Sequence, residues 1–300
     1  MIYEKPFLSL DEQAARLIGR GMIIDDKDKA KHYLSNISFY RLRAYTYPYQ
    51  DNNDPNHPFI RPIKFEQIIE LYRFDRKLRI IVFDALEKIE VSLRCKLIYY
   101  YAEVYGSHWL LDQNIFRNVQ QYNNDLARIK KEIERSPEIF IKHYKNKYTE
   151  PELPPVWMIL EVLSLGLLSK VFENIRKDKI KKQICTEFGL LHVDVLESWM
   201  HSFSFIRNIC AHHGRIWNRR ITNMPKLPHN TKFQFIDNLN IDRNKLYPIL
   251  CCMTYVLDRI SPGHQFRNDL IILFNEFNSV NQRELGMPDQ WQDEIFWKIQ

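Results

Sequence analysis

Apolar residues recur at helical spacing along most of the chain. The longest run is Ile68, Leu71, Phe74, Leu78, Ile81, Ala85, Ile89, Leu93 and Leu97, stepping by three or four. A stripe of that period predicts one long amphipathic helix from about Lys64 to Tyr105, with no Pro or Gly inside it and Gly106 as its stop. Upstream, Ser9-Leu-Asp-Glu12 has the spacing of a capping box and predicts a helix to about Gly19 or Gly21. Asp25 or Asp26 caps a second helix that runs through Lys31 and Leu34. Four prolines with Asp51, Asn52, Asn53 and Asp54 mark residues 48–62 as a loop or domain junction.

Downstream, the pattern predicts helices at about 119–135 and 137–147. Pro151, Pro154 and Pro155 then punctuate, and another helix runs from Val156 to Phe172 with Gly166 as a weak point. A basic stretch from Arg176 to Lys182 leads into a short helix. A further helix opens near Asp194, residues 222–240 read as loop, and helices at about 243–260 and 265–278 precede a tail carrying Trp291 and Trp297. Strict alternation never persists long enough for a strand. The expected fold class is therefore all-α, a helical bundle with an N-terminal helical extension. The expected divisions are an N-terminal region over 1–60, a helical domain over 61–280 and a tail over 281–300.

Composition narrows the function classes. The 300 residues can bury a sizeable core. Only 8 are Gly, which argues against turn-rich sheets and glycine-rich phosphate loops. A net charge of +6 fits a polyanion partner and fits an inert basic surface equally well. The 5 cysteines are odd in number and form no Cys-x-x-Cys, so neither a disulfide framework nor a zinc ribbon is expected. No metal or other cofactor is expected. No nucleophile elbow for a Ser or Cys hydrolase occurs. The opening residues have no apolar signal segment, and no apolar run reaches the ~18–20 residues that span a bilayer. The expectation is a cytoplasmic protein with no membrane partner.

The chemistry concentrates in Trp199 to Arg219. Placed on a helix, Trp199, Phe203, Ile206, Cys210, His213 and Trp217 fall on one apolar stripe. His201, Ser204, Asn208, His212, Arg215 and Arg219 fall opposite, with Arg207 on the flank. His213 is then expected to be a hydrogen-bonded core residue, and Gly214 a weakening or bend. His212, among Asn208, Arg215 and Arg219, can titrate near neutral pH beside cations suited to phosphate. Metal-free RNA cleavage needs a base for the 2′-OH, an acid for the leaving 5′-oxygen, and cations for the phosphorane. Arg207-x4-His212 could supply these roles. It could also be a surface helix with scattered basic residues.

The string Arg207-Asn-Ile-Cys-Ala-His212-His-Gly-Arg-Ile-Trp-Asn-Arg219 resembles the abortive-infection family of bacterial phage-resistance proteins, the AbiD/AbiF type or Abi type 2. Two other segments carry the same resemblance. One is the opening, Lys5-Pro-Phe through Arg20-Gly-Met-Ile-Ile-Asp to Phe39-Tyr-Arg-Leu. The other is Ala85-Leu-Glu-Lys-Ile-Glu-Val-Ser-Leu-Arg94. Arg207-Asn208-x3-His212 also looks like the Arg-x4-6-His motif of HEPN ribonucleases. The resemblance implies a HEPN-type bundle, ribonuclease activity at Arg207, Asn208 and His212, homodimerisation and a defence role. It also implies a cognate small structured RNA as a partner in some members. Two rivals stay open, a non-catalytic RNA- or protein-binding module and nucleotidyl modification of an RNA-processing partner.

Secondary constellations each carry two readings. Glu87, Glu90 and Arg94 share a helix face, as a surface salt bridge or as a support that orients Arg207 or His212. His213 and Arg215 are further supporting candidates. Arg41 and Arg43 lie in an aromatic run that either packs the N-terminal helices or contacts RNA. Lys181 and Lys182 belong to a basic stretch that is either a solvated face or an RNA track, and Arg219 is a further RNA candidate.

Overall fold

The computed structural model describes residue 2 and residues 6–298. Lys5, which opens the N-terminal resemblance, lies outside the described residues, as do the ends of the expected N-terminal region and tail. The chain is all-α, with twelve α-helices among the described residues and one two-stranded parallel pair, β1 (Met22–Ile23) with β2 (Ile63–Lys64). It groups into two compact units, residues 1–78 with 273–280, and residues 79–272 with 281–300. This grouping cuts within the long helix, whereas the expected boundaries stood at 60 and 280.

In the first unit, α1 (Leu10–Gly19) begins at Ser9 as its local chemistry dictates. The Ser9 backbone N–H donates to Glu12 Oε2 at 2.7 Å, and the Glu12 N–H donates to Ser9 Oγ at 3.3 Å. Asp26 caps α2 (Lys27–Ile37) by accepting from the Lys29 N–H at 2.9 Å. The aromatic-basic run folds as α3 (Phe39–Thr46). Tyr45 is buried and donates to Asp75 Oδ2 at 2.6 Å. Phe74 packs against the rings of Phe274 and Phe277.

The long helix α4 (Phe65–Tyr105) contributes residues to both units. Its buried stripe is Ile68, Leu71, Phe74, Leu78, Val82, Ala85, Ile89, Leu93, Leu97 and Tyr101, passing through Val82 rather than Ile81. Gly106 ends it in the left-handed region, at φ 79°.

The second unit holds α5 (Val119–Arg135), α6 (Ile139–Lys147), α7 (Val156–Val162), α8 (Leu165–Asn174), α9 (Lys179–Glu187), α10 (Val193–Ala211) and α11 (Tyr247–Ile260), with the start of α12 (Phe266–Glu276). The helix expected over Val156–Phe172 is two helices. The break falls at Leu163–Ser164, where Ser164 accepts from the Leu167 N–H and its own N–H donates to Glu132 Oε2 at 2.9 Å. Gly166 lies inside α8. A Cβ there would approach Ser204 Oγ at 3.3 Å, so this glycine lets α8 lie close on α10.

α10 is the central element, packed on α8, α9 and α11. Leu196, Trp199, Met200, Phe203 and Ile206 are fully buried, each burial stabilising by roughly 1.5–3 kcal/mol. Trp199 stacks near Phe235 and meets Tyr255 edge-on, and its Nε1 donates to the Lys226 carbonyl at 2.7 Å. No helix among the described residues is long and apolar enough to cross a membrane.

Candidate functional site

The helix that carries Arg207, Asn208 and His212 stops at Ala211, before the expected stripe is complete. His212 is the C-cap residue, and its N–H donates to the Asn208 carbonyl at 3.0 Å. The His213 N–H then donates to Cys210 O at 3.0 Å and the Gly214 N–H to Ile209 O at 2.8 Å. This is a Schellman closure, with the left-handed position occupied by His213 at φ 56° where glycine is usual. A Cβ on Gly214 would meet Ile209 Cγ2 at 3.0 Å and Ile209 O at 3.3 Å, so the glycine is needed one residue later than usual. Trp217 still reaches the core, through a turn and not a helix.

Two expectations are corrected here. His213 is exposed, not a core residue, because the chain has left the helical path before reaching it. Ser204, expected on the polar side, is buried under α8. His212 and Asn208 are exposed as expected, and Arg207 is partly buried.

Arg207 is held from α4. Its Nε lies 3.7 Å from Glu90 Oε2, and its guanidinium carbon lies 5.8 Å from the centre of the Phe83 ring. Glu90 is itself buried and also pairs with Arg94, one turn along α4. Arg94 Nη2 donates to the Leu163 carbonyl at 2.7 Å, at the break between α7 and α8. A continuous chain of contacts therefore fixes Glu90 against Arg207. Burial pushes the Glu90 carboxyl up from its ordinary value, Arg94 and Arg207 oppose that rise, and Glu87 adds to it. Of the α4 candidates, Glu90 touches Arg207 directly and Arg94 acts through Glu90. Glu87 is exposed and contributes only its charge.

The other candidates are placed elsewhere. Arg215 lies over the Trp217 ring at 5.8 Å, and Arg219 Nη1 donates to the Arg215 carbonyl at 3.3 Å, so both sit in the turn that follows His212. Arg41 and Arg43 lie in the first unit. Arg41 sits over the Tyr72 ring, and Arg43 Nη2 is 3.2 Å from His57 Nε2. Lys182 is exposed.

Lys181 is a correction. Its side chain has no exposure, and its ammonium donates to Glu197 Oε1 at 2.6 Å, Ile175 O at 2.8 Å and Glu173 O at 3.0 Å. All three donors are used inside the protein, closing the C-terminal end of α8. Burial pulls its pKa down to about 8 against the opposing pull of Glu197. It cannot reach an RNA phosphate.

The sequence offers Glu90 as a support for Arg207 only as one of two readings and gives Phe83 no role; both lie more than a hundred residues from Arg207. No signal within a single sequence pairs them. The same limit hid the Leu163 carbonyl that anchors Arg94.

Comparison with known proteins is brief. No curated protein matches the chain. No solved structure matches it either. A family model described as Abi-like protein matches residues 32–218, from within α2 to the turn after His212. That span is more than half of the chain, and the chain belongs to the Abi-like protein family of abortive-infection defence.

Proposed function

We propose that this protein is a metal-independent endoribonuclease of the HEPN kind that acts in abortive infection. The observation that carries this reading is the contrast at the C-terminal end of α10. Arg207 is fixed by Glu90 and Phe83, while His212 stands exposed at the C-cap. A guanidinium so held can meet a phosphate with its remaining N–H groups. An exposed imidazole five residues further on can take the 2′-OH proton or protonate the leaving 5′-oxygen. The 2′-oxygen attacks the adjacent phosphorus, the bond to the 5′-oxygen breaks, and a 2′,3′-cyclic phosphate results. Asn208, exposed on the same turn, can hydrogen-bond the phosphate or the ribose.

One protomer supplies one such set. A symmetric homodimer would place a second His212 across a shared cleft, so that one imidazole serves as base and the other as acid. Arg215 and Arg219, in the turn after His212, are suited to extend phosphate contact from that cleft. Arg41, Arg43 and Lys182 remain candidates for holding a structured RNA that restrains the enzyme.

The test uses the full chain in EDTA with a mixed RNA substrate and analysis of product ends. Cleavage leaving 2′,3′-cyclic phosphate, lost in His212→Ala with the helical circular dichroism spectrum unchanged, is the expected result. Equal cleavage by His212→Ala would overturn the assignment. RNA binding by the wild type without cleavage would identify a binding module instead.

A further inference from the structure

Beyond the matched family span, the second unit carries a cavity of about 500 Å³. It opens between the end of α11, the turn at 261–265, the loop at Phe233 and the C-terminal turn at 295–298. Its floor is a fixed polar unit. Arg267 grips Asp258 with both Nη atoms at 2.6 Å, and its Nε donates to the Phe296 carbonyl at 2.9 Å. His264 Nδ1 accepts from the Phe266 N–H at 3.2 Å, which leaves Nε2 to donate to Asp258 Oδ1 at 2.9 Å. Both oxygens of Asp258 are therefore occupied from within the protein, and its charge is matched by Arg267.

Two more cations face the same space. Arg259 and Lys298 are exposed at the mouth, and neither has a carboxylate partner among the described residues. Arg259 is already positioned, with its guanidinium carbon 3.9 Å from the centre of the Phe233 ring. That cation–π contact places the guanidinium beside an exposed aromatic ring, where a planar group can stack. Phe233 is 37% exposed and Ile295 is 60% exposed, and they give a mostly polar lining two apolar faces. A concave, mostly polar site with two unmatched cations and a guanidinium over an exposed aromatic ring suits an anion that carries an aromatic ring.

We propose that this cavity binds a nucleotide unit, with Arg259 and Lys298 on its phosphate and its base against the Arg259–Phe233 pair. The unit can be part of a single-stranded RNA or a free mononucleotide. The site is independent of cleavage at His212.

The experiment measures binding of a labelled 2′-O-methyl oligoribonucleotide, which cannot be cut through its 2′-oxygen, to the full chain across a salt series. Arg259→Gln with Lys298→Gln is expected to weaken binding at least tenfold at low salt and to reduce the salt slope by about one to two. Phe233→Ala is expected to weaken it about tenfold without changing the slope. Lys142→Gln with Lys147→Gln makes the same charge change on α6, which does not line the cavity, and should leave affinity within about twofold. Adenosine monophosphate that competes for the wild-type site identifies a free nucleotide as a sufficient ligand, and failure to compete while the variants lose RNA identifies the strand. Unchanged RNA affinity in the Arg259/Lys298 double variant, or an equal loss in the α6 control, would overturn the proposal.

Discussion

Lys181 and Arg207 are both cations paired with a glutamate on another helix, yet they do opposite things. Lys181 has no exposure, and each of its three donors ends on a protein oxygen within 3.0 Å. Arg207 keeps a side-chain exposure of 31% and stands 3.7 Å from a single carboxylate oxygen. The first cation is consumed by the fold. The second is aimed by the fold and left with donors to spend on a ligand. A basic residue near a candidate site thus has to be judged by its unspent donors, and neither charge nor sequence neighbourhood reports them.

The sharpest way to break this comparison is to delete each cation and measure both stability and RNA cleavage. Lys181→Ala leaves the largely buried Glu197 with only Arg117, 4.0 Å away, and removes the donor from two carbonyls at the end of α8. Loss of a buried pair of this kind costs about 3–5 kcal/mol, read as a fall in the denaturant midpoint. Molecules that remain folded should cleave at the wild-type rate. Arg207→Ala should reverse the pattern, lowering the cleavage rate by about a hundredfold or more while stability moves by less than about 1 kcal/mol. A large stability loss in Arg207→Ala, or normal stability in Lys181→Ala, would erase the distinction.

A smaller effect is expected at Glu90, which is buried beside Arg207. Glu90→Gln should slow cleavage roughly tenfold, the size of one charge-assisted contact of about 1.5 kcal/mol. Its pH dependence carries a sign. Burial raises the Glu90 pKa in the folded state above its unfolded value, so the folded protein holds that proton through the window between them. The stability contributed by Glu90 is full below the window and falls as pH rises through it. The carboxylate that aims Arg207 forms only at the top of that window. Wild-type cleavage should therefore lose rate as pH falls through it, and Glu90→Gln should flatten that acid limb. A structural role alone would leave the limb's shape unchanged.

What the sequence revealed follows from which forces are local. Ser9 with Glu12, Asp26, and the apolar stripe of α4 were legible because capping and periodicity act within a few residues. The break at Leu163–Ser164 has no Pro or Gly at it, and the nearby Gly166 serves close approach to Ser204 rather than the break. Lys181 looked like its basic neighbours, yet it shares a face of α9 with Ile184 and Cys185, three and four residues on, and that spacing pointed inward. The Glu90–Arg207 pair depends on two helices meeting, which no spacing along one segment encodes. The end of α10 differs from the expected helix for another reason. Trp217 prolongs the three-four rhythm of the apolar stripe, and the left-handed residue is a histidine, so the usual glycine signal sits one position late.

The smallest effect concerns that histidine. At φ 56°, His213 occupies a region that costs a non-glycine residue roughly 1–2 kcal/mol. A single substitution cannot isolate this strain, because removing the imidazole also removes whatever it contacts. The pair His213→Ala and His213→Gly can, since both lose the imidazole and only one keeps a Cβ. Glycine gives back about 0.4–1 kcal/mol through the greater freedom of the unfolded chain. The glycine variant should therefore be more stable than the alanine variant by about 0.5–1 kcal/mol in chemical denaturation. If alanine proves equal or better, His213 is not held in the left-handed region in solution. The helix would then continue past Ala211, and His213 would rejoin the apolar stripe. Cleavage measured on the same two variants separates the backbone from the side chain. Equal rates would show that the turn's strain does not set the position of His212, whereas a slower glycine variant would show that a stiff residue after His212 helps to hold it at the C-cap.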